Sequence, residues 1–490
     1  MTNMNTARIF SLIIVLSGCL AALTLAADSI QLSTGPAGQR VADYFKAFNS
    51  GDDQIMLNCF RTNVAPDALQ RRTAEERLQT YHDMHSRFQS LELRRVLSTV
   101  DTAITTLAQA KSGDWLRITF MFDTTAAHML TALRIEDSEP PADNQLQTPL
   151  TLAQAITEIE KCIDSLVAAD QFSGVVLLAR NGKPYFNKAY GAASREYNLP
   201  NRIDTKFNLG SINKVFSQAA ICQLVDQGRL SFDDLLGKWL PDYSNKDARD
   251  KVTIRHLLSM SSGIGDFFGE KFEATPKDRI RNISDFLRLF EDQALQFEPG
   301  SRQQYSNGGY IVLGAIIEKV SGQSYYDYVR DHIFAPAGMA NTDSYESDVP
   351  TSNLAQGYTT ERSGAGVPEG TRVNNIYTRP ARGSSAGGGY STADDLLKFA
   401  LALQDHKLLS PTGTRWIVDR DYKGGSGLSA PNSPRENQGG MGIAGGAPGI
   451  NSALAFDFST GFISVVMSNY DPPAAERVGK RIRGVLSRVK

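Results

Sequence analysis

Apolar positions recur along this chain with two different periods, and the periods come in blocks. Val41, Phe45 and Phe48 recur at helical spacing and stop before Gly51, which predicts a first helix. A second helical pattern runs from Ala74 to His85. The period then changes. Leu116, Ile118, Phe120 and Phe122 alternate with polar or smaller neighbours after Ser112-Gly113-Asp114, and a last strand ends at Leu133-Arg134-Ile135. Helices followed by antiparallel strands predict a small α+β unit over 28–137. Glu136 to Pro149, with Pro140-Pro141, is polar and predicts a linker over 138–150. Leu152, Ile156, Ile159 and Ile163 then mark an amphipathic helix. Gly174 to Ala179 reads as a strand, Asn181-Gly182 as a tight turn, and Pro184 to Tyr190 as its partner. Helical runs follow from Ser211 to Gln227-Gly228 and from Tyr310 to Val320. Asn451–Phe458 and Phe462–Ser468 read as strands, and Ala474–Val489 as a closing helix. Strands at both ends with helices between them imply one sheet assembled from distant parts of 151–490. The expected fold class is α/β (α+β), with an antiparallel sheet flanked by helices.

Composition narrows the function classes. At 490 residues the chain is too long for one ordinary core. A net charge of −2 gives no electrostatic case for nucleic acid or an acidic membrane surface. Cys19, Cys59, Cys162 and Cys222 fit no metal spacing and are too sparse for a disulfide scaffold; Cys222 falls in an apolar run and reads as core. Neither a metal nor a cofactor is expected. His82, His85 and His128 read as helix-face or packing residues, with the lining of a pocket as the competing reading. Residues 9–27 are apolar after Arg8 and end in small residues, which predicts an export signal over 1–27 cleaved near Ala26 or Ala27. An exported, periplasmic or secreted protein follows. Two competing readings are a retained anchor and a lipoprotein, since Leu16-Ser17-Gly18-Cys19 resembles a bacterial lipobox whose Cys19 would be the lipidated tether.

Three short stretches carry candidate chemistry. Ser211-Ile212-Asn213-Lys214 opens a helical run, so Ser211 and Lys214 share a face and the amine lies beside the hydroxyl. A serine nucleophile needs such a base. Tyr305-Ser306-Asn307 lies just before the second helical run. Gly442 to Asn451 is glycine-rich, which permits close backbone approach, and leads into the terminal strands.

Ser-x-x-Lys, Tyr-x-Asn about ninety residues on and a Gly-rich edge strand, in this order, resemble the serine β-lactamase and penicillin-binding protein superfamily, in its class C β-lactamase and esterase branch. Framework stretches agree, among them Thr253 to Gly263, Phe334 to Met339 and Ala386 to Thr392. The resemblance implies a sheet flanked by helices plus an all-helical subdomain. It implies Ser211 as acylated nucleophile, Lys214 as its base, Tyr305 as second acid/base, and Asn307 orienting Lys214 and substrate. The backbone N–H groups of Ser211 and Gly446 would form the oxyanion hole, with Ile443, Ala444 and Gly445 binding substrate. In the N-terminal unit, Tyr44 to Asp52 is similar to the opening helix of NTF2-like (SnoaL-like) cones.

One position departs from the family pattern. Ile443 stands where Lys or His is usual. A unit charge at about 4 Å is worth roughly 4 kcal/mol at an effective dielectric of 20. Without it, burial has to supply any lowering of the Lys214 pKa. Arg379 or Arg382 is the alternative source of the missing cation. Two functions follow. The first is a serine hydrolase of esters, amides or peptidoglycan-like substrates, with uncharged substrates preferred to carboxylate-bearing β-lactams. The second is a non-catalytic cell-wall-binding or sensor module on the same fold.

Overall fold

A computed structural model describes residues 32–111, 114–138, 149–361, 368, 370–418 and 440–489. The export segment with Cys19, most of the expected linker and the Ser112-Gly113 part of the expected turn lie outside these residues. By its contacts the chain divides into two compact units, Met1–Gln147 and Thr148–Lys490.

The first unit begins with four helices: α1 (Pro36–Ser50), α2 (Asp53–Asn63), α3 (Pro66–Arg71) and α4 (Ala74–Phe88). The α1 helix stops at Gly51, whose φ of +67° is the left-handed conformation that glycine takes without cost. Asp52 then accepts from the N–H groups of Gln54 and Ile55 and starts α2. Thr73 and Glu76 form a capping box on α4. Four antiparallel strands follow in simple order: β1 (Leu91–Val100), β2 (Ala103–Ala110), β3 (Trp115–Phe122) and β4 (Leu130–Ser138). Phe48, Met56, Ile118 and Phe120 anchor the core between helices and sheet. The α2 and α3 helices lie where the sequence reading predicted nothing, although Met56, Leu57 and Phe60 carry a helical spacing.

The second unit is built on a five-stranded antiparallel sheet. Its strands are β5 (Gly174–Arg180), β6 (Lys183–Tyr190), β7 (Gly440–Ala447), β8 (Ile450–Asp457) and β9 (Phe462–Ser468). Their order is β7-β8-β9-β5-β6, so the two ends of the unit meet at the β9–β5 pair. Asn181 and Gly182, with φ of +51° and +73°, close the β5–β6 hairpin. Alternation along β5 and β9 divides the core. Val176, Leu178 and Val466 face helices α5 (Leu152–Ala168) and, at the chain end, Ala474–Leu486. Val175, Leu177, Val465 and Met467 face the large core on the other side. That core surrounds α6 (Lys214–Asp226), which is buried on nearly every face. Helix α7 (Asn307–Ser321) packs beside it, again almost wholly buried.

Candidate active site

The corner that carries Ser211 is set by backbone crowding. Gly210 has φ of +49°, and a Cβ there would fall 2.8 Å from the N of Gly446. A Cβ on Gly445 would fall 2.7 Å from the N of Ser211 and 2.0 Å from the carbonyl of Leu209. Strand β7 therefore presses its glycines against the Ser211 turn, and only glycine allows that approach. The helix expected to start at Ser211 does so as a 3₁₀ turn, Gly210–Asn213, before α6. In a 3₁₀ turn residues i and i+3 eclipse, which stacks Lys214 directly over Ser211. Ser211 Oγ lies 3.2 Å from Lys214 Nζ.

Tyr305 and Asn307 arrive from the start of α7. Ser306 is its N-cap: its hydroxyl accepts from Gly309 N–H and donates to the Gly265 carbonyl, each at 2.8 Å. That pins the two neighbours of Ser306. Tyr305 Oη comes within 2.5 Å of Ser211 Oγ. Asn307 Oδ1 accepts from Lys214 Nζ at 2.7 Å. Lys214 also donates to the carbonyl of Ala386. The ammonium sits 4.9 Å from the centroid of the Tyr305 ring and 5.5 Å from that of Tyr310. Ser211, Lys214, Tyr305 and Asn307, drawn from two stretches ninety residues apart, thus form one cluster.

Asp266 completes the cluster and has no motif in the sequence. Its Oδ2 accepts from Asn307 Nδ2 at 2.6 Å. That contact commits the amide nitrogen to Asp266 and turns the amide oxygen toward Lys214. It also occupies one of the two N–H groups that Asn307 would offer a substrate. The only signal for Asp266 is its place beside Gly265, whose carbonyl receives the Ser306 hydroxyl.

Lys214 is 2 % exposed, and burial pulls its pKa down to about 7, with the Asp266 charge opposing the shift. The Tyr305 phenol is held above its ordinary value by desolvation; the bond to Ser211 opposes this and the Asp266 charge adds to it. Near neutral pH the cluster therefore holds an amine that can accept a proton and a phenol that keeps its own. A neutral Lys214 has two hydrogens for Asn307 Oδ1 and the Ala386 carbonyl, and its lone pair is left for the Ser211 proton.

A cavity of about 400 Å³ opens over Ser211. Phe267, Phe268, Phe286, Tyr345 and Ile450 make much of it apolar. Among the residues expected to bind substrate, Ala444 lines this cavity, as does Gly446. Ile443 and Gly445 do not. Ile443 is half-buried and packs against the large core, and Gly445 is spent on the contact with Leu209 and Ser211. Arg379 and Arg382 both line the cavity. Arg382 stacks on Tyr326 and faces Glu346. Arg379 donates to the Ser347 hydroxyl at 2.9 Å and pairs with no carboxylate among the described residues.

Comparison with known proteins matches this chain from 159 to 487 to the family model described as Beta-lactamase. PbpX of Bacillus subtilis (strain 168) is 32% identical over 301 residues, which is 61% of this chain and 71% of PbpX. Among solved structures, a penicillin binding protein from Bacillus halodurans superposes with a TM-score of 0.55 at 31% identity, covering 66% of this chain and 98% of that one. D-amino acid amidase from Ochrobactrum anthropi SV3, complexed with D-phenylalanine, superposes at 0.56 with 25% identity over 68% of this chain and 98% of the amidase.

Proposed function

The chain belongs to the β-lactamase family of serine hydrolases, and on that premise we propose that it cleaves esters or amides through an acyl-enzyme on Ser211. The observation that carries the reading is the pair of contacts on one hydroxyl: Tyr305 Oη at 2.5 Å and Lys214 Nζ at 3.2 Å. Neutral Lys214 takes the Ser211 proton as Oγ attacks the carbonyl carbon. The oxyanion that forms is received by the backbone N–H groups of Ser211 and Gly446, a pair in which losing one donor costs about 10²–10³ in rate. Tyr305 gives its proton to the leaving group and recovers one from protonated Lys214. Water then attacks the acyl carbon, and the same groups run in reverse to free the acid and regenerate Ser211.

The apolar cavity walls support an acyl donor with an uncharged, apolar body. A second reading comes from Arg379: a guanidinium in the cavity wall with no carboxylate partner suits a substrate that carries a carboxylate. Hydrolysis of a short-chain p-nitrophenyl ester and of nitrocefin, compared in wild type and Arg379→Ala, separates them. The first reading expects the ester to win and Arg379→Ala to leave both rates within about threefold. A loss of nitrocefin turnover of 10-fold or more in the variant selects the second.

The proposal itself is tested by labelling with a fluorescent fluorophosphonate and mapping the adduct. Label on Ser211 together with ester turnover supports it. An unlabelled Ser211 and no turnover would leave the non-catalytic cell-wall-binding module. Three further readings belong to this proposal. Residues 1–27 are an export signal, checked by N-terminal sequencing of the mature protein. Residues 28–137 are an NTF2-like unit, supported by four helices followed by a four-stranded sheet. The hydrolase unit is 151–490, so a fragment beginning at Thr148 keeps its esterase activity.

A further inference from the structure

A second cavity, of about 260 Å³, lies within the N-terminal unit. Its walls are apolar where Phe60, Val64, Met84, Leu130, Leu133 and Ile135 line it. Its polar side chains are Arg72, Arg77, Tyr81, Thr80 and Thr131: two cations and three hydroxyls, with no carboxylate among them.

These donors are not used up by the fold. Arg77 donates from Nε to the Arg72 carbonyl at 3.1 Å and from Nη2 to the Ala68 carbonyl at 2.9 Å. Its Nη1 has no partner among the described residues. Arg72 uses Nη2 alone, toward the Glu76 carbonyl and the Thr80 hydroxyl. Neither guanidinium is ion-paired with a described carboxylate. The acidic side chains nearest in sequence are engaged elsewhere: Glu75 pairs with Arg61, and Glu76 caps the N–H of Thr73. Tyr81 is 3 % exposed, and its hydroxyl is buried with no hydrogen-bond partner among the described residues.

Each feature is unfavourable by itself. A buried hydroxyl without a partner has given up its water and gained no hydrogen bond in return. Two guanidiniums side by side repel, and neither can relieve this by losing its proton. The Arg77 guanidinium is held below its ordinary value by burial and by the charges of Arg72 and Arg71. One ligand relieves the charge crowding and fills the space: an anion that accepts from both guanidiniums while its body occupies the apolar end.

We propose that this cavity is a binding site for a small amphipathic carboxylate, with the carboxylate on Arg72 and Arg77 and an apolar chain or ring between Phe60, Met84 and Leu133. A planar, two-oxygen acceptor fits the guanidinium fork. Inorganic phosphate satisfies the charge and leaves the apolar walls empty. A neutral alcohol does the reverse. The site therefore distinguishes these ligands by requiring both halves.

Octanoate, 1-octanol and inorganic phosphate, titrated calorimetrically into the full-length protein, test this. Octanoate is expected to bind at least 10-fold more tightly than either of the others, and more weakly as salt is raised. Arg77→Gln and Arg72→Gln are each expected to weaken octanoate 10-fold or more and to leave octanol unchanged. Arg72 is exposed, so its variant keeps the test decisive if Arg77→Gln fails to fold. Leu133 lines the same space from the core face of β4, where it pairs with Phe120, and Leu133→Trp is expected to abolish octanoate binding by filling it. The apolar cavity over Ser211 could also take up octanoate, and this last variant distinguishes the two places. Octanoate binding that survives Arg72→Gln and Leu133→Trp, octanol binding as tight as octanoate, or no octanoate binding at all would each overturn the proposal. Ester hydrolysis is expected to be unchanged in all three variants, so the proposal stands or falls apart from the hydrolase reading.

Discussion

Ser211 in one unit and the cavity of the N-terminal unit are served by cations of different kinds. The cation in contact with Ser211 is a lysine whose three donor positions all meet acceptors, Ser211 Oγ, Asn307 Oδ1 and the Ala386 carbonyl, while Arg379 and Arg382 stand elsewhere in that cavity's wall. In the N-terminal unit the cations are arginines with donors left over. Lysine can answer burial by giving up its proton, and its pKa of about 7 says that it does so near neutrality. Arginine cannot, and stays charged whatever surrounds it. A buried lysine inside a complete hydrogen-bond network is fitted to move a proton. Unpaired arginines beside an apolar cavity are fitted to hold an anion. The difference separates a site for chemistry from a site for binding.

The sharpest way to break that comparison is to remove the chemistry. Ser211→Ala is expected to abolish p-nitrophenyl ester hydrolysis while leaving the thermal transition within a few degrees. Lys214→Ala is expected to lower kcat by at least about 10²-fold. Lys214→Arg should be nearly as poor, since it keeps the cation and loses the base. An active Arg variant would show that Lys214 acts only through its charge.

Asp266 offers a smaller effect and a finer test. It does not line the cavity, so Asp266→Asn should leave KM nearly unchanged. The variant frees the Asn307 amide to turn, and a loss of about 10-fold in kcat is expected, smaller than the 10²–10⁴ of losing the general base itself. The wild-type rate should rise with pH through about 7 as Lys214 deprotonates. The Asp266 carboxylate favours protonated Lys214, so removing it should move that limb to lower pH. A limb that stays put, or moves up, would mean that Asp266 does not sense Lys214.

The smallest expected effect is on stability. The folded pKa of Lys214, about 7, lies below an unfolded value of about 10.4. Between these values the unfolded chain binds more protons, so this group makes the protein more stable as pH rises. Its penalty is largest at pH 7 and below, and vanishes above the unfolded value. Lys214→Met removes the penalty and also three hydrogen bonds. The difference in Tm, Met variant minus wild type, is therefore expected to be most positive near pH 7 and to fall by several degrees toward pH 10. A difference that is flat with pH would contradict the buried, proton-labile lysine.

Local pattern carried much of the fold. The β5–β6 hairpin, the strand over Phe462–Ser468 and the helix after Ser211 were legible because their signals lie within a few residues: Asn181-Gly182, a short apolar run, and a glycine stop at Gly228. The α2 and α3 helices were passed over, being short and enclosed by the turn residues around Gly51 and Pro66. At the candidate site, Ser211 and Lys214 were legible as neighbours because one helical turn joins them. Asp266 was not, because its partner Asn307 is 41 residues away and the contact depends on how the Gly265 loop packs against α7. Ile443 shows the same limit. The sequence marks the absent cation, and only the alternation of β7 decides that this side chain packs on the core while Ala444 and Gly446 look into the cavity.

The sequence alone determined which groups are present and which are one turn apart: a serine with a lysine, a tyrosine with an asparagine, a glycine run able to lie against another backbone. These follow from covalent spacing and backbone sterics, which act over a few residues. Tertiary structure decided the charge states and the partners. Whether Lys214 is an ammonium or an amine depends on how much water the surrounding core excludes. Whether Arg72 and Arg77 are paired depends on which carboxylates folding brings within reach. Both are sums over neighbours far apart in the chain, and no local pattern encodes them.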